Sequence, residues 1–144
     1  MDSRWSAVGI KYLRKMMPTK NDAKKASASN GYKPFTDDEL KAIFQPQLLN
    51  EAQRPADFWL PMLGLFTGGR ISELAQLDIA DIQQHDSIWA ISINSEGDKS
   101  LKTLAATRLI PIHPPLLECG FLEYVTDTKA HGKKLFPYLT PDTF

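Results

Sequence analysis

Cys119 is the only cysteine among the 144 residues, so no internal disulfide can form. The three histidines, at 85, 113 and 131, are too scattered to build a metal site with it. Long apolar runs are missing as well. The longest, Phe58 to Phe66, is interrupted by Pro61 and falls well short of the ~20 residues a membrane-spanning helix needs. Met1-Asp2-Ser3-Arg4-Trp5 leads into no apolar stretch of the kind a secretory leader carries. A cytoplasmic protein without membrane association is the expectation. Net charge is lacking too: 17 basic residues balance 17 acidic ones, which taken alone argues against a nucleic-acid partner.

The distribution of that charge is uneven. Residues 1–33 carry eight basic side chains against two acidic ones, a net of +6, and residues 34–144 carry the compensating −6. A basic arm on an acidic body is a pattern for nucleic-acid contact, with Lys24, Lys25 and Lys33 as candidate phosphate contacts. A solvated linker beside an ordinary domain would show the same distribution. With 42% apolar and 24% charged residues, the chain has the composition of a globular protein and enough length for one real core.

Trp5, Val8, Tyr12 and Met16 stand near helical spacing until Pro18, and 19–33 reads as a linker with little to bury. The globular part is expected from 34 onward. Thr36 and Glu39 form a capping-box signature ahead of Leu40, Ile43 and Phe44. Pro55 opens a second helix over about 56–67, apolar on nearly every face and therefore buried on most sides. Gly68 and Gly69 are expected to end it with positive φ. A third helix is expected from Arg70 to Leu77. Ile71, Leu74 and Ala75 would face the core, with Arg70 and Glu73 on the opposite side.

The period then changes to two. Ile88–Ile93 reads as a strand, Asn94–Asp98 as a turn, Ser100–Thr103 as a short second strand and Arg108–Ile112 as a third, with Pro111 confining it to an edge or a strand end. A helix follows from Pro114, broken at Gly120, and 131–144 is loop-like. The fold class is α+β, mostly helical with a small three-stranded antiparallel sheet.

Thr67-Gly68-Gly69-Arg70-Ile71-Ser72-Glu73-Leu74 is the most specific segment. A cation in the first turn of a helix meets the positive end of the helix dipole, which is unfavourable. An anion would reverse that, since free backbone N–H groups and a guanidinium can grip one phosphate together. A plain surface ion pair between Arg70 and Glu73, worth under about 1 kcal/mol, is the alternative.

The order of parts over residues 34–140 resembles the catalytic domain of tyrosine recombinases, the phage integrase family. The resemblance rests on Phe35-Thr36-Asp37-Asp38-Glu39-Leu40, the apolar helix and the octapeptide. It continues through Leu101-Lys102-Thr103, Arg108-Leu109-Ile110-Pro111-Ile112 and Leu135-Phe136-Pro137. It implies double-stranded DNA as partner, a 3′-phosphotyrosyl intermediate, no cofactor and no metal, and in the intact family a tetramer on paired recombination sites. Arg70 matches the first catalytic arginine, which holds the scissile phosphate. Glu73 matches the acidic residue that braces the site. Lys102 matches the hairpin lysine that serves as general acid toward the leaving 5′-oxygen. Lys99 is a nearby rival for that role and, with Arg108, a candidate DNA contact; Arg108 also reads as a strand-end charge. His113 reads as a turn or cap residue.

The family's later motif, His-x-x-Arg followed by a nucleophilic tyrosine, has no counterpart. His131-Gly132-Lys133-Lys134 ends in lysine, and Tyr12, Tyr32, Tyr124 and Tyr138 sit in the wrong context. Residues 1–33 then read as a basic linker with the remnant of a core-binding domain. Residues 34–144 read as the first half of a catalytic domain, from a truncated prophage gene or a deliberately shortened chain. Such a fragment of an integration and recombination enzyme is expected to bind DNA without cleaving it. A catalytically dead DNA-binding remnant and a non-functional half-domain are the competing expectations.

Overall fold

The computed structural model describes residues 33–45, 51–102 and 106–139. The chain divides into two compact units, Met1–Ala52 and Gln53–Phe144. The short helix expected near the N-terminus, the linker before Lys33 and the segment after Leu139 lie outside the described residues.

In the first unit, helix α1 spans Asp37–Ile43. Its capping box is formed: the Glu39 amide donates to Thr36 Oγ1 at 3.3 Å, and the Thr36 amide donates to Glu39 Oε2 at 2.7 Å. The Thr36 amide and the Thr36 hydroxyl, which also donates to Glu39 Oε2 at 2.9 Å, hold the Glu39 carboxyl below its ordinary pKa.

The second unit begins with helix α2, Pro55–Thr67. Proline at its first position loses no hydrogen bond there, and Arg54 closes the entry by pairing with Asp57 at 2.8 Å. Phe58, Trp59, Leu60, Met62 and Leu63 are all buried. Met62 and Leu63, with no exposed surface, each contribute about 2 kcal/mol of transfer free energy. Trp59 is the centre of the aromatic core, 5.1 Å from the Phe121 ring and stacked on Tyr124 at 5.6 Å; Tyr124 in turn stacks on Phe136.

Helix α3 spans Ile71–Ala75, a 3-10 turn Ile79–Asp81 follows, and three strands come next: β1 Ile82–His85, β2 Ile88–Ile93 and β3 Arg108–Pro111. Helices α4, Pro114–Glu118, and α5, Phe121–Thr128, complete the unit with a 3-10 turn at Lys129–His131. Among the described residues no helix is long and apolar enough to cross a membrane.

The sheet is antiparallel throughout, in the order β1-β2-β3. Its membership differs from the sequence reading. Ile82–His85 supplies a strand that was not expected, because Ile-Gln-Gln-His carries one apolar residue and shows no period of two. It pairs with β2 through a two-residue turn in which Asp86 (φ 46°) and Ser87 (φ 70°) are both left-handed, the geometry that matches strand twist. Ser100–Lys102 is not in the sheet, and Thr103 lies outside the described residues. Ser100 cannot join a ladder because its amide and carbonyl are both bonded to the Gln76 side chain. Pro111 is tolerated because β3 is an edge strand.

Candidate functional site

The turn between α2 and α3 is built on two glycines. Gly68 closes α2 in the left-handed region at φ 64°, with its amide bonded to the Gly64 carbonyl. Gly69 has a different reason for being glycine. Its φ is not positive, but a Cβ there would stand 2.9 Å from Leu74 Cδ2. Arg70, extended at ψ 145°, is the cap that precedes α3 rather than part of its first turn. The helix is also shorter than expected, ending at Ala75: the Leu77 amide bonds the Leu74 carbonyl, three residues back, instead of continuing the four-residue ladder.

Glu73 is 4% exposed, where the sequence reading has it on the outer face. Its carboxylate takes a hydrogen bond from Arg108 Nη2 at 2.7 Å, another from the Arg70 amide at 3.2 Å and a third from Arg70 Nη1 at 3.3 Å. A buried charge is tolerable only with such partners. Burial pushes the Glu73 carboxyl up, but the hydrogen bonds from Arg108 and the Arg70 amide, with the two guanidinium charges, outweigh it and hold the group below its ordinary pKa. The Arg70 amide, which the sequence reading offers to a phosphate, is thus already taken. The guanidiniums are engaged only in part: the Arg70 side chain is 58% exposed and that of Arg108 36%. Two half-exposed cations on one buried anion leave a net positive charge facing solvent. Arg108 is steadied further by its hydrogen bond to the Ala106 carbonyl at 2.7 Å.

Ile71, expected in the core, is 54% exposed. It sits where α3 leaves the turn, over a shallow groove lined by Leu60, Pro61 and Gly64. Leu74 and Ala75 do face inward.

The segment between β2 and β3 is held from below by charge. Lys99, read as a DNA contact or a rival of Lys102, is buried, with Nζ 2.6 and 2.7 Å from the two Asp81 oxygens and 3.6 Å from Asp78. Its ammonium is committed to the interior. Asn94 Nδ2 donates to the same Asp81 at 2.8 Å. Lys134 Nζ bridges Asp98 at 2.9 Å and Asp78 at 3.3 Å, and the Lys134 hydrogen bond holds the Asp98 carboxyl down at about 2. Gln76, the residue capping the end of α3, grips Ser100 at both backbone groups, 2.8 and 2.6 Å. Two residues later Lys102 is exposed, with no hydrogen-bond partner among the described residues. Gln76, Asp78, Asp81 and Lys134 are site-building residues that the sequence reading missed; polar residues scattered over 58 positions carry no local signal.

Of the remaining candidates, Lys33 is exposed, and Lys24 and Lys25 lie outside the described residues. Tyr124 is buried with its hydroxyl bonded to the Leu135 carbonyl at 2.6 Å, and burial pushes it up to about 12. Tyr138 is exposed; Tyr12 and Tyr32 lie outside the described residues. His113 precedes α4 as its cap residue and stacks on Phe66 at 5.3 Å. Among the described residues no group of three or more His, Cys, Asp or Glu side chains could hold a metal ion. No protein-family model, curated protein or solved structure matches the chain.

Proposed function

We propose that this is a DNA-binding protein whose Arg70 and Arg108 grip one backbone phosphate. More particularly, we read it as part of a site-specific recombinase of the tyrosine recombinase kind, acting in DNA integration and excision. The observation that carries the reading is the buried Glu73 carboxylate shared by two arginines whose side chains remain partly exposed. Guanidinium forks suit phosphate oxygens, and a pair braced from behind loses little side-chain freedom on binding. In this reading Arg70 and Arg108 hold the phosphate and Glu73 orients them; Lys102 adds a contact beside it, and its general-acid role would be exercised only with a nucleophile supplied from elsewhere. Tyr124 cannot serve as nucleophile from the interior, and the chain binds DNA without cleaving it.

The test is fluorescence anisotropy with a labelled duplex over a range of salt. Arg70→Ala and Arg108→Ala should each weaken binding and each reduce the slope of log K against log salt by about one. A nicked suicide duplex should yield no covalent adduct. Unchanged affinity in both arginine variants, with binding abolished by deleting residues 1–33, would sink the arginine reading. That result would favour the simpler one, suggested by the +6 charge of that arm, of a remnant that holds DNA through its arm alone.

A further inference from the structure

Helix α3 and its cap residue carry two attachments at once. Glu73, inside the helix, holds the two arginines, and Gln76, at its end, holds Ser100 by both backbone groups. The segment that leads to Ser100 is fixed at three further points: Asn94 on Asp81, Lys99 on Asp81 and Asp78, and Asp98 on Lys134. Lys102 stands two residues past the last anchor, a backbone distance of at most about 7 Å. The arginine pair and the base of the Lys102 side chain are thereby tied to one short element.

We propose that Gln76 and Lys99 are positioning residues that clamp the 94–100 segment, so that Lys102 meets DNA from a fixed frame shared with Arg70 and Arg108. This inference rests on the DNA reading of the arginine pair. Lys99 itself touches no DNA; its charge is spent on Asp81 and Asp78. A lysine on an unanchored loop would lose conformational freedom on each encounter, and the clamp removes most of that loss beforehand.

The experiment is a double-variant cycle on the full chain, read by duplex anisotropy at fixed salt. Lys102→Ala should weaken binding about threefold, the share of one phosphate contact. Gln76→Ala, which removes no charge, should reproduce most of that loss, and the double variant should lose no more than Lys102→Ala alone. Arg70→Ala should cost the same in the Gln76→Ala background as in the native chain. Additive losses at 76 and 102, or no loss in either, overturn the proposal, as does a Gln76→Ala chain in which Arg70 no longer matters, since Gln76 would then act through the fold. Lys99→Met should behave as Gln76→Ala does; if it fails to fold, Gln76→Ala decides. Amine acylation followed by mass spectrometry gives a readout free of DNA: Lys102 should label much faster than Lys99, and equal rates overturn the clamp. Failure of the arginine reading shows separately, as unchanged affinity in Arg70→Ala and Arg108→Ala.

Discussion

Glu73 carries a full negative charge almost out of contact with water, and its three donors explain why it stays there. Replacing it with alanine removes charged hydrogen bonds but leaves two arginines that water can reach. The expected cost is therefore about 1–2 kcal/mol in urea unfolding, short of what a fully enclosed ion pair would lose. Glu73→Gln, which keeps the shape and drops the charge, should fall between. Cys119 is the opposite kind of residue, buried without a polar task. Burial and the neighbouring Glu118 charge push its thiol up to about 11, so almost no thiolate exists at neutral pH. An aromatic disulfide reagent at pH 7.5 should modify it only as fast as the chain unfolds; rapid reaction in native buffer would contradict the packing described.

At the scale of elements, the α2–α3 turn shows two glycines kept for two reasons. Gly68→Ala places a Cβ in the left-handed region and should cost about 1 kcal/mol, with open space around it otherwise. Gly69→Ala meets the Leu74 side chain, whose packing is part of the core, and should cost at least as much while shifting α3 itself. Thermal melts of both variants, with duplex affinity as the second readout, separate them: Gly69→Ala should weaken DNA binding more, because α3 carries Glu73. The capping box of α1 and the proline start of α2 were legible in the residues, because each depends on neighbours three or four positions away. Strand β1 was not. Ile-Gln-Gln-His is a strand only because β2 lies beside it and a left-handed Asp86-Ser87 turn returns the chain. Of the strand expected at 100–103, the described residues 100–102 stay out of the sheet for a matching reason: a glutamine 24 residues earlier took the backbone groups of Ser100.

For the whole molecule, pH dependence follows from the signs of the shifts. Glu73 and Asp98 are held below their ordinary values, so their contribution is complete above about pH 4.5 and is lost as pH falls through the folded values, near 2 for Asp98. Asp98 is exposed and weighs little; Glu73 should dominate. Tyr124 and Cys119 are pushed up, so the stability they supply is complete below their ordinary values of 10 and 9. It fades as pH rises toward about 12 and 11. Melting temperature should therefore be flat from about pH 5 to 8 and fall on both sides. The acid limb should be shallower in Glu73→Gln, and an unchanged acid limb would show that Glu73 does not carry it.

The residues by themselves determined the apolar α2 helix, its glycine stop, the arginine that follows and the uneven charge along the chain. These are patterns of composition and short spacing, and local physics is enough to read them. Only the tertiary structure decided that Glu73 is buried and shared with Arg108, 35 positions away, and that Lys99 turns inward while Lys102 faces out. Burial and ion pairing depend on which distant segments meet, and a lysine three residues from another looks the same in sequence whether a carboxylate waits beneath it or not.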